Sequence, residues 1–532
     1  MIVKKLHHIG TTGERLLYLD NRLKHRKTFV EWDHRVLGPI NDEQGFEQGG
    51  ISSGDLYTVY NADQLSIPTD AGLGVNLEVA EISSIGQADD VVLLSTDITL
   101  LNNLLRLTLD YCATHHVILA PEKTKLMAFS SFRQKLSVDY QKAISPININ
   151  NADIEFVNDT EHVGIVRSVH GNLPHIQQRV TAHTKKLFAL LPSGLARNQH
   201  LNPAASLRIQ SLHANPVLLS GVAALCLNNS EMTILHSNHK QIIQSLQKLH
   251  DNTPECFIMF MGGTLGATAT VHVRQLALFG MICRLPENVL NKIAAHKLHS
   301  EPDNSPSWFV EIRHLCKQYS LPSPLFLLAN PPPKSSYKSL VKKRVVDFWQ
   351  HKYRSDAQEM DSLKYFKPQY MSLLQPHPLW STCLDNPYEV NKSIAVAKMM
   401  SGRYRSDWHC RHWSLTNKEG HCLLCPGEHI PGNIEHLLVS CRALTTKRNL
   451  LFNFWNKHTE ESPHLKNLFT TMKASSTSDF IQFVIDPSAI PIVISGCQEQ
   501  LFSLKEVFHL TRTFCYGIHR RRLQLLGRFN YA

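Results

Sequence analysis

Short apolar runs separated by turn-forming residues dominate positions 1–170, a pattern typical of an α/β or α+β sheet domain. The compact apolar run Val91–Leu94 predicts a buried strand. A polar residue within Ser95–Asp97 can cap the helix that follows, whose apolar positions recur at helical spacing from Ile98 to Cys112. A second strand is predicted at Leu126–Phe129.

The rest of the chain changes from strand-like to helix-like patterning. Residues 171–328 have mostly helical periodicity, and residues 339–532 form a second helical section with a Cys/His cluster near its middle. Between them, residues 329–338 contain three consecutive prolines followed by lysine and serines, which predicts an extended linker. We therefore expect a sheet-containing domain, a helical middle region and a helical C-terminal domain.

Composition excludes several classes of protein. The 532 residues are 43% apolar and 19% charged, too apolar for a disordered polyelectrolyte, and the length suggests about three domains. Lysine and arginine (55) exceed aspartate and glutamate (45), which gives a formal net charge of +10 and favours a polyanionic partner. The 30 histidines make the chain more basic still below neutral pH.

The sequence predicts no membrane segment. The N-terminus lacks a long apolar stretch, and the longest apolar run, Pro216–Leu227, is shorter than the ~20 residues that span a bilayer. The 12 cysteines are mostly isolated and are interpreted as reduced thiols. We therefore expect an intracellular protein, nuclear or cytoplasmic, with no membrane partner.

Two adjacent carboxylates, Asp89 and Asp90, stand directly before the predicted strand Val91–Leu94. Paired carboxylates repel each other unless they share a cation, and hard divalent ions such as Mg²⁺ prefer oxygen ligands on a fixed frame. A hairpin would place both aspartates at its tip. The alternative is that the pair only marks a turn, because aspartate is a common turn residue.

Four segments occur in an order that resembles the palm motifs of reverse transcriptases, most closely those of non-LTR, LINE-type retrotransposons. They are QGGISS at residues 48–53, ADD at 88–90, EKTK at 122–125 and EHVG at 161–164. Each match is weak alone, and the order of all four carries the resemblance.

The resemblance implies an α+β fold. It consists of a partial palm of a right-hand polymerase over residues 1–170, a helical thumb or connection over 171–328, and a helical C-terminal domain with a small zinc knuckle. The implied activity is RNA-directed DNA polymerisation by two-metal nucleotidyl transfer on an RNA template and a DNA primer or target, with dNTPs as substrates. Asp89 and Asp90 would bind Mg²⁺, and Lys123 would neutralise or protonate the departing pyrophosphate. The implied template- and substrate-binding residues are Gln48, Gly49, Ser53, Lys125 and Gly164.

Three departures from the family pattern weaken the expectation of catalysis. Gly54 replaces a proline and Gln87 replaces an aromatic residue. Family members also carry another metal-binding aspartate on a strand before the QG motif, and the only candidate here, Asp20, lies in a pattern of helical spacing. We expect this chain alone to be inactive. The alternatives are a catalytically dead remnant that binds RNA or DNA, or a fragment that folds poorly because a sheet edge is exposed.

A second candidate site has the pattern C-x2-C-x10-H-x4-C, formed by Cys422, Cys425, His436 and Cys441. Three soft thiolates and one imidazole are the ligands of a structural, tetrahedral Zn²⁺. His421 and His429 are rival ligands, and accidental spacing of free thiols is the alternative. The family resemblance supports the first set, since many LINE-type polymerases carry a similar C-terminal element.

Two basic segments are ambiguous. Residues 401–413 interleave arginines with aromatic residues, and the tail from His519 to Arg528 is rich in arginine. Such segments can pair with phosphates and stack on bases, or they can be helices with a basic solvent face and aromatic residues in the core.

Overall fold

The computed structural model describes residues 2–24, 26–42, 45–47, 50–129, 147–149, 152–195, 201–285, 288–383, 387–410 and 420–527. The chain forms two compact units, each with its own secondary structure. Unit 1 contains Met1–Asn172 and Leu285–Ser300, and unit 2 contains Leu173–Arg284 and Glu301–Ala532. Strands occur in unit 1 and helices in both, so the α+β class expected from the sequence is confirmed at this level.

Unit 1 contains short strands that pair two by two, and the described residues form no larger sheet. Five pairs are antiparallel, in the order β1–β2, β3–β4, β5–β6, β8–β9 and β11–β12, and β7 pairs with β10 in parallel. The strands are β1 (Arg26–Trp32), β2 (Arg35–Asp42), β3 (Val75–Asn76), β4 (Glu81–Ile82), β5 (Ser84–Gln87), β6 (Asp90–Leu93), β7 (Lys125–Leu126), β8 (Asn148–Ile149), β9 (Ala152–Asp153), β10 (Glu155–Phe156), β11 (Asp159–His162) and β12 (Ile165–Ser168). The helices are α1 (Ile2–His8), α2 (Gly13–Leu23), α3 (Ser53–Asp70), α4 (Ile98–His115) and a later helix over Val289–Ser300.

The predicted helix is confirmed as α4, and Asp97 caps it. The Asp97 carboxylate accepts hydrogen bonds from the backbone N–H groups of Thr99 and Leu100, which satisfies two donors of the first turn. The apolar face of α4 packs on a small core that is centred on Ile149 (1% exposed) and surrounded by Leu126, Ile147 and Ile154.

Two strand predictions need correction. The run Val91–Leu94 is only half-buried, because β5 and β6 form an isolated two-stranded ribbon on which Ile85 is 49% exposed. The strand predicted at Leu126–Phe129 is limited to Lys125–Leu126, since its partner β10 is only two residues long.

The described residues of unit 2 form helices that are joined by loops and turns, with one isolated β-bridge. Its first helices are α5 (Leu173–Ala189), α6 (Pro203–Ile209), α7 (Asn215–Leu218), α8 (Asn229–Leu246), α9 (Glu255–Gly262) and α10 (Ala267–Cys283); α11 is the helix Val289–Ser300 of unit 1. The remaining helices are α12 (Trp308–Gln318), α13 (Pro324–Ala329), α14 (Lys334–Gln358), α15 (Pro378–Ser381), α16 (Pro387–Met400), α17 (Asp407–Cys410), α18 (Thr445–Thr459), α19 (Pro463–Ala474), α20 (Thr477–Ile485), α21 (Pro491–Gln498) and α22 (Leu504–Leu525). Single 3₁₀ or π turns occur at Leu191–Ser193, Gln210–Ala214, Val222–Ala224, Asp361–Leu363, Pro368–Tyr370, His436–Ser440, Arg442–Leu444 and Pro487–Ala489.

The proline-rich segment predicted as a linker joins two helices of the same unit. Pro333 is the N-cap of α14, and the last five residues of the predicted linker, 334–338, form the first turns of that helix. Tyr337 is 2% exposed and packs against Gly280 of α10, where any Cβ would collide with its ring. The burial of Tyr337 therefore fixes this segment within unit 2.

Among the described residues, no single helix is long and apolar enough to cross a membrane. The pair α9 and α10 meets the length and composition criteria jointly, but it is bent by 64°. The α9 residues Phe257 and Phe260 are fully buried in the core of unit 2.

Candidate metal centre

The first two candidate ligands lie on a tight reversal of the chain. The Cys425 N–H donates to the Cys422 carbonyl at 3.1 Å, and the Cys422 N–H donates across the reversal to the Ile430 carbonyl at 2.8 Å. Gly427 has a φ of 86°, a left-handed conformation that favours glycine. This turn brings the Sγ atoms of Cys422 and Cys425 to the same side, as the C-x2-C spacing predicts.

The other two ligands lie at the ends of a single π-helical turn, His436–Ser440: His436 is its first residue and Cys441 directly follows it. The His436 N–H donates to the Asn433 side chain at 2.8 Å, and the Cys441 N–H donates to the His436 carbonyl at 2.7 Å. His436 Nδ1 lies 3.1 Å from Ser440 Oγ, so the ring is oriented with Nε2 toward the cysteines.

The four side chains converge. Their ligand atoms lie within 4.8 Å of one another, and Cys425 Sγ is 3.7 Å from Cys441 Sγ and 3.6 Å from His436 Nε2. A tetrahedral Zn²⁺ with bonds of about 2.3 Å to sulfur requires ligand atoms about 3.8 Å apart. All four residues are buried. The site could therefore hold a metal ion such as zinc, and it joins the residues that the sequence spacing predicts.

The electrostatics of the cluster favour the thiolate form of Cys422. A hydrogen bond with the Cys441 thiol is the largest influence and lowers the pKa of Cys422, with help from the Leu424 N–H and the His436 ring, while the same hydrogen bond raises the pKa of Cys441. The thiolate is the form of cysteine that binds metals.

A buried ion pair supports the metal centre, and sequence reasoning missed it. Arg522 Nη2 of α22 lies 2.7 Å from Asp407 Oδ1, with side chains 4% and 0% exposed. Asp407 Oδ2 accepts a hydrogen bond from the Leu423 N–H, between the first two cysteines. Arg448 donates to the carbonyl of Cys441 at 3.1 Å. No short-range sequence signal connects Arg522 to the cysteines, since it lies about 100 positions after Cys422.

The rival ligands lie outside the four-residue set. His421 Nδ1 and His429 Nδ1 are 3.3 Å apart, and the two rings meet edge to face on the outside of the turn. They belong to no metal-binding group of three or more side chains in the described chain. The structure thus selects His436 as the imidazole of the set.

The paired aspartates occupy the predicted hairpin. Strands β5 and β6 pair with Gln87 opposite Asp90, and Ala88 turns the chain with a φ of 55°. Both Asp89 and Asp90 are exposed. Burial, followed by the charge of Asp89, raises the pKa of Tyr57 on α3. Both carboxylates at the hairpin tip are therefore exposed to solvent, and that of Asp89 lies close enough to α3 to influence Tyr57.

Among the described residues, no further ligand joins these carboxylates to complete a two-metal Mg²⁺ site. Among the described residues, no group of three or more candidate ligands includes Asp89 or Asp90. Two-metal catalysis needs carboxylates that bridge both ions, and hard cations need several oxygen ligands.

The other residues implied by the resemblance are dispersed among turns and strand ends. Lys123 is exposed in a turn, and Lys125 Nζ is paired with Glu155 Oε2 at 2.6 Å across β7 and β10. Gly164, with a φ of 71°, forms the tip of the β11–β12 hairpin. In the part of the chain that is described, no hydrogen bond or ion pair joins these three residues to the aspartates.

The residues at the start of the first segment are only partly described. Ser53 begins α3, and its Oγ donates to the Glu47 carbonyl at 2.7 Å. Gln48 and Gly49 lie outside the described residues. The described part of this segment is therefore a helix N-terminus.

The basic and aromatic segment divides between core and surface. Tyr404 is 6% exposed and forms a hydrogen bond of 2.9 Å with His519, so it is a core residue. Arg405 is exposed and Trp408 is 41% exposed. Residues 411–419 and the end of the tail, including Arg528, lie outside the described residues.

A comparison with known protein families and with curated proteins found no match for this chain. Its function must therefore be argued from its own residues. Within the described residues, the Cys/His set is the group that combines the donor chemistry and the geometry of a metal site.

Proposed function

We propose that unit 2 holds one structural Zn²⁺ at Cys422, Cys425, His436 and Cys441, and that the protein binds nucleic acid through this unit. The observation that carries the proposal is the convergence of four buried soft ligands at tetrahedral spacing. A soft, nitrogen- and sulfur-rich set favours Zn²⁺ over Mg²⁺ or Ca²⁺.

The role of the ion is structural in this proposal. Four protein ligands leave no open position for a water or a substrate, which a catalytic zinc requires. The ion would connect the turn at Cys422 to the segment before α18, beside the ion pair of Asp407 with Arg522. Zinc binding would therefore contribute directly to the folding of this part of unit 2.

Nucleic acid is the proposed partner because the chain carries a formal charge of +10 and exposes arginines close to the centre. Arg405 is exposed, two positions before Asp407, and Arg520 and Arg521 are exposed on α22 beside Arg522. Arginine and lysine supply most of the affinity of proteins for phosphate backbones. The resemblance of the Cys/His element to that of LINE-type polymerases supports the same partner. Reduced cysteine ligands fit an intracellular location.

Binding of labelled oligonucleotides of about 20 nucleotides, followed by fluorescence anisotropy, tests this function. We expect the full-length protein to bind single-stranded RNA or DNA with an affinity that falls steeply as salt rises. Removal of zinc by a chelator should weaken binding, and added Zn²⁺ should restore it. Absence of binding at low salt would refute the function.

A second candidate is the RNA-directed DNA polymerase of a non-LTR retrotransposon. It is favoured by the hairpin that presents Asp89 and Asp90 in front of α3. Because no third candidate ligand joins the two carboxylates among the described residues, we expect no synthesis on poly(rA)/oligo(dT) with Mg²⁺ or Mn²⁺. Incorporation that disappears in Asp89→Ala would instead establish this candidate, with RNA template, DNA primer and dNTPs as its ligands.

A further inference from the structure

A second group of basic residues in unit 2, separate from the metal ligands, comes from two distant segments. Lys248 and His250 follow α8, whereas Lys398 lies in the last turn of α16 and is followed by Arg403 and Arg405. The segments meet where Arg405 Nη2 donates to His250 Nε2 at 3.3 Å. We call these five residues the cationic cluster.

The backbone of the second segment is fixed by a tight turn. Gly402 has a φ of 66°, and an added Cβ would collide with the Ser362 carbonyl oxygen. The Arg403 N–H donates to the Lys398 carbonyl at 3.2 Å, so the chain folds back on the end of α16. The reversal at Gly402 places Arg403 beside the last helical turn of α16, which contains Lys398.

The cluster is rich in positive charge and poor in acids. Burial lowers the pKa of Lys398, and Arg405 and Lys248 lower it further. Burial, followed by Arg405, lowers the pKa of His250, whereas Asp251 is the acid that acts in the opposite direction.

The neighbouring helix α22 adds more positive charge. Burial lowers the pKa of His519 to about 4, with Arg522, Lys398 and Arg520 contributing. Arg403 Nε is buried and has no hydrogen-bond partner among the described residues. A bound anion would therefore give Arg403 a hydrogen-bond acceptor, and it would reduce the repulsion between the positive charges of the cluster and of α22.

We infer that Lys248, His250, Lys398, Arg403 and Arg405 form a binding site for the phosphate groups of a nucleic-acid backbone. The inference rests on the proposed nucleic-acid function of unit 2 and names the residues that contact the ligand. Arginine donors suit phosphate because their planar fork can give two parallel hydrogen bonds.

A membrane surface is the less suitable anionic partner. Anchoring on a bilayer needs apolar side chains that insert beside the cations. Here the residue between the two arginines, Tyr404, is 6% exposed, and Ser401 just before them is 0% exposed. The cluster is also joined to the metal centre, because the Arg405 carbonyl accepts a hydrogen bond from Arg522 Nη1, and Arg522 pairs with Asp407.

Helix α14 supplies a matched control. Lys342 and Lys343 are exposed positions of that helix, and neither makes an ion pair among the described residues. Arg403→Gln/Arg405→Gln and Lys342→Gln/Lys343→Gln remove the same charge from the same unit. Only the Arg403→Gln/Arg405→Gln variant removes hydrogen-bond donors from the cationic cluster.

The experiment measures anisotropy of a labelled oligonucleotide over a series of salt concentrations, for the full-length wild type and both double variants. Circular dichroism verifies that each variant is folded, and Arg405→Lys, which keeps the charge, is the conservative companion. We expect the cluster variant to bind at least about tenfold more weakly and its salt slope to fall by about 1.4, the value for two phosphates on a single strand. The control should change by less than about threefold, and Arg405→Lys should lie between.

The outcomes separate the site from the function. If the wild type binds and the cluster variant binds equally well, the site is refuted and the nucleic-acid function stands. If the wild type binds no oligonucleotide, the function fails and the site fails with it. Loss of binding to phosphatidylserine vesicles, with oligonucleotide binding unchanged, would assign the cluster to a membrane and also refute the site.

Discussion

At the tip of the β5–β6 hairpin two carboxylates stand exposed in solvent, whereas in unit 2 four soft ligands converge in a buried cluster. Both were recognised by the same kind of sequence signal, a short pattern of metal-binding residue types. Asp89 and Asp90 have no third ligand among the described residues, while Cys422 and Cys425 are completed by His436 and Cys441. The pattern with four ligands specified which side chains would converge, whereas the pattern with two carboxylates left any further ligand unspecified.

The two regions also differ in what surrounds the ligands. Around the Cys/His cluster, two partners orient the ligands, since the exposed Ser440 contacts the His436 ring and the buried Arg448 binds the Cys441 carbonyl. Around the aspartates, a two-stranded ribbon is packed on α3, where Ser84 Oγ donates to the Leu65 carbonyl at 3.1 Å. The first environment can hold a fixed geometry because the four side chains are buried and hydrogen bonds orient two of them.

The largest expected effect is the loss of the metal ligands. Cys422→Ser combined with Cys441→Ser should lower the free energy of unfolding of unit 2 by more than about 4 kcal/mol, because metal binding is coupled to folding. Urea unfolding followed by circular dichroism measures this. Cys497→Ser, outside the cluster, should cost less than about 1 kcal/mol. Equal stability of the two variants would contradict a structural metal.

The next effect concerns the ion pair that supports the cluster. Asp407→Asn should destabilise the protein by about 3–5 kcal/mol, because it leaves the charge of Arg522 buried without its partner. Chemical denaturation measures the change. Arg442→Ala breaks the exposed pair with Glu428 and should cost about 0–1 kcal/mol. A similar cost for both would show that burial of the Asp407 pair is unimportant.

A buried histidine makes unit 2 sensitive to acid. Burial, aided by His183 and His236, lowers the pKa of His239 to about 3, and His239 is 1% exposed. The unfolded chain takes up a proton near pH 6.5 and the folded chain does not, so stability falls as the pH drops from about 6.5 toward 3. The slope should reach about 1.4 kcal/mol per pH unit.

Urea unfolding at a series of pH values compares the wild type with His239→Leu, which should flatten the curve below pH 6.5. The exposed His458 provides the control, and His458→Leu should keep the wild-type slope. An unchanged slope in His239→Leu would rule out His239 as its source.

The smallest effect is expected at the hairpin. Asp89→Asn combined with Asp90→Asn should change stability by no more than about 0.5 kcal/mol, because both side chains are exposed. Millimolar MgCl₂ should shift the melting temperature of wild type and variant alike. A Mg²⁺-dependent stabilisation that only the wild type shows would establish a metal site at the aspartates.

Local features were predictable from the sequence, and long-range ones were not. The capping of α4 by Asp97 involves neighbours two and three positions away, and the metal set lies within 20 positions. Asp407 and Arg522 are 115 positions apart, and Arg405 and His250 are 155 apart. Their contacts depend on the packing of α22 and α8, which no local pattern specifies.

The proline-rich segment shows how a local sequence pattern can be misinterpreted. Three prolines correctly indicated an extended backbone before α14, but the prediction of a linker assumed that the following residues were solvated. The ring of Tyr337 is buried against Gly280, a contact that depends on a helix more than fifty positions earlier in the chain. Composition alone could not distinguish a connection inside one unit from a linker between units.

The central claim, that the Cys/His cluster holds a metal and the aspartate hairpin does not, is tested most directly by metal analysis of the purified, reduced full-length protein. We predict one Zn²⁺ per chain, lost in Cys422→Ser/Cys441→Ser and retained in Asp89→Asn/Asp90→Asn. A protein without zinc, or full zinc content in the double cysteine variant, would contradict this account.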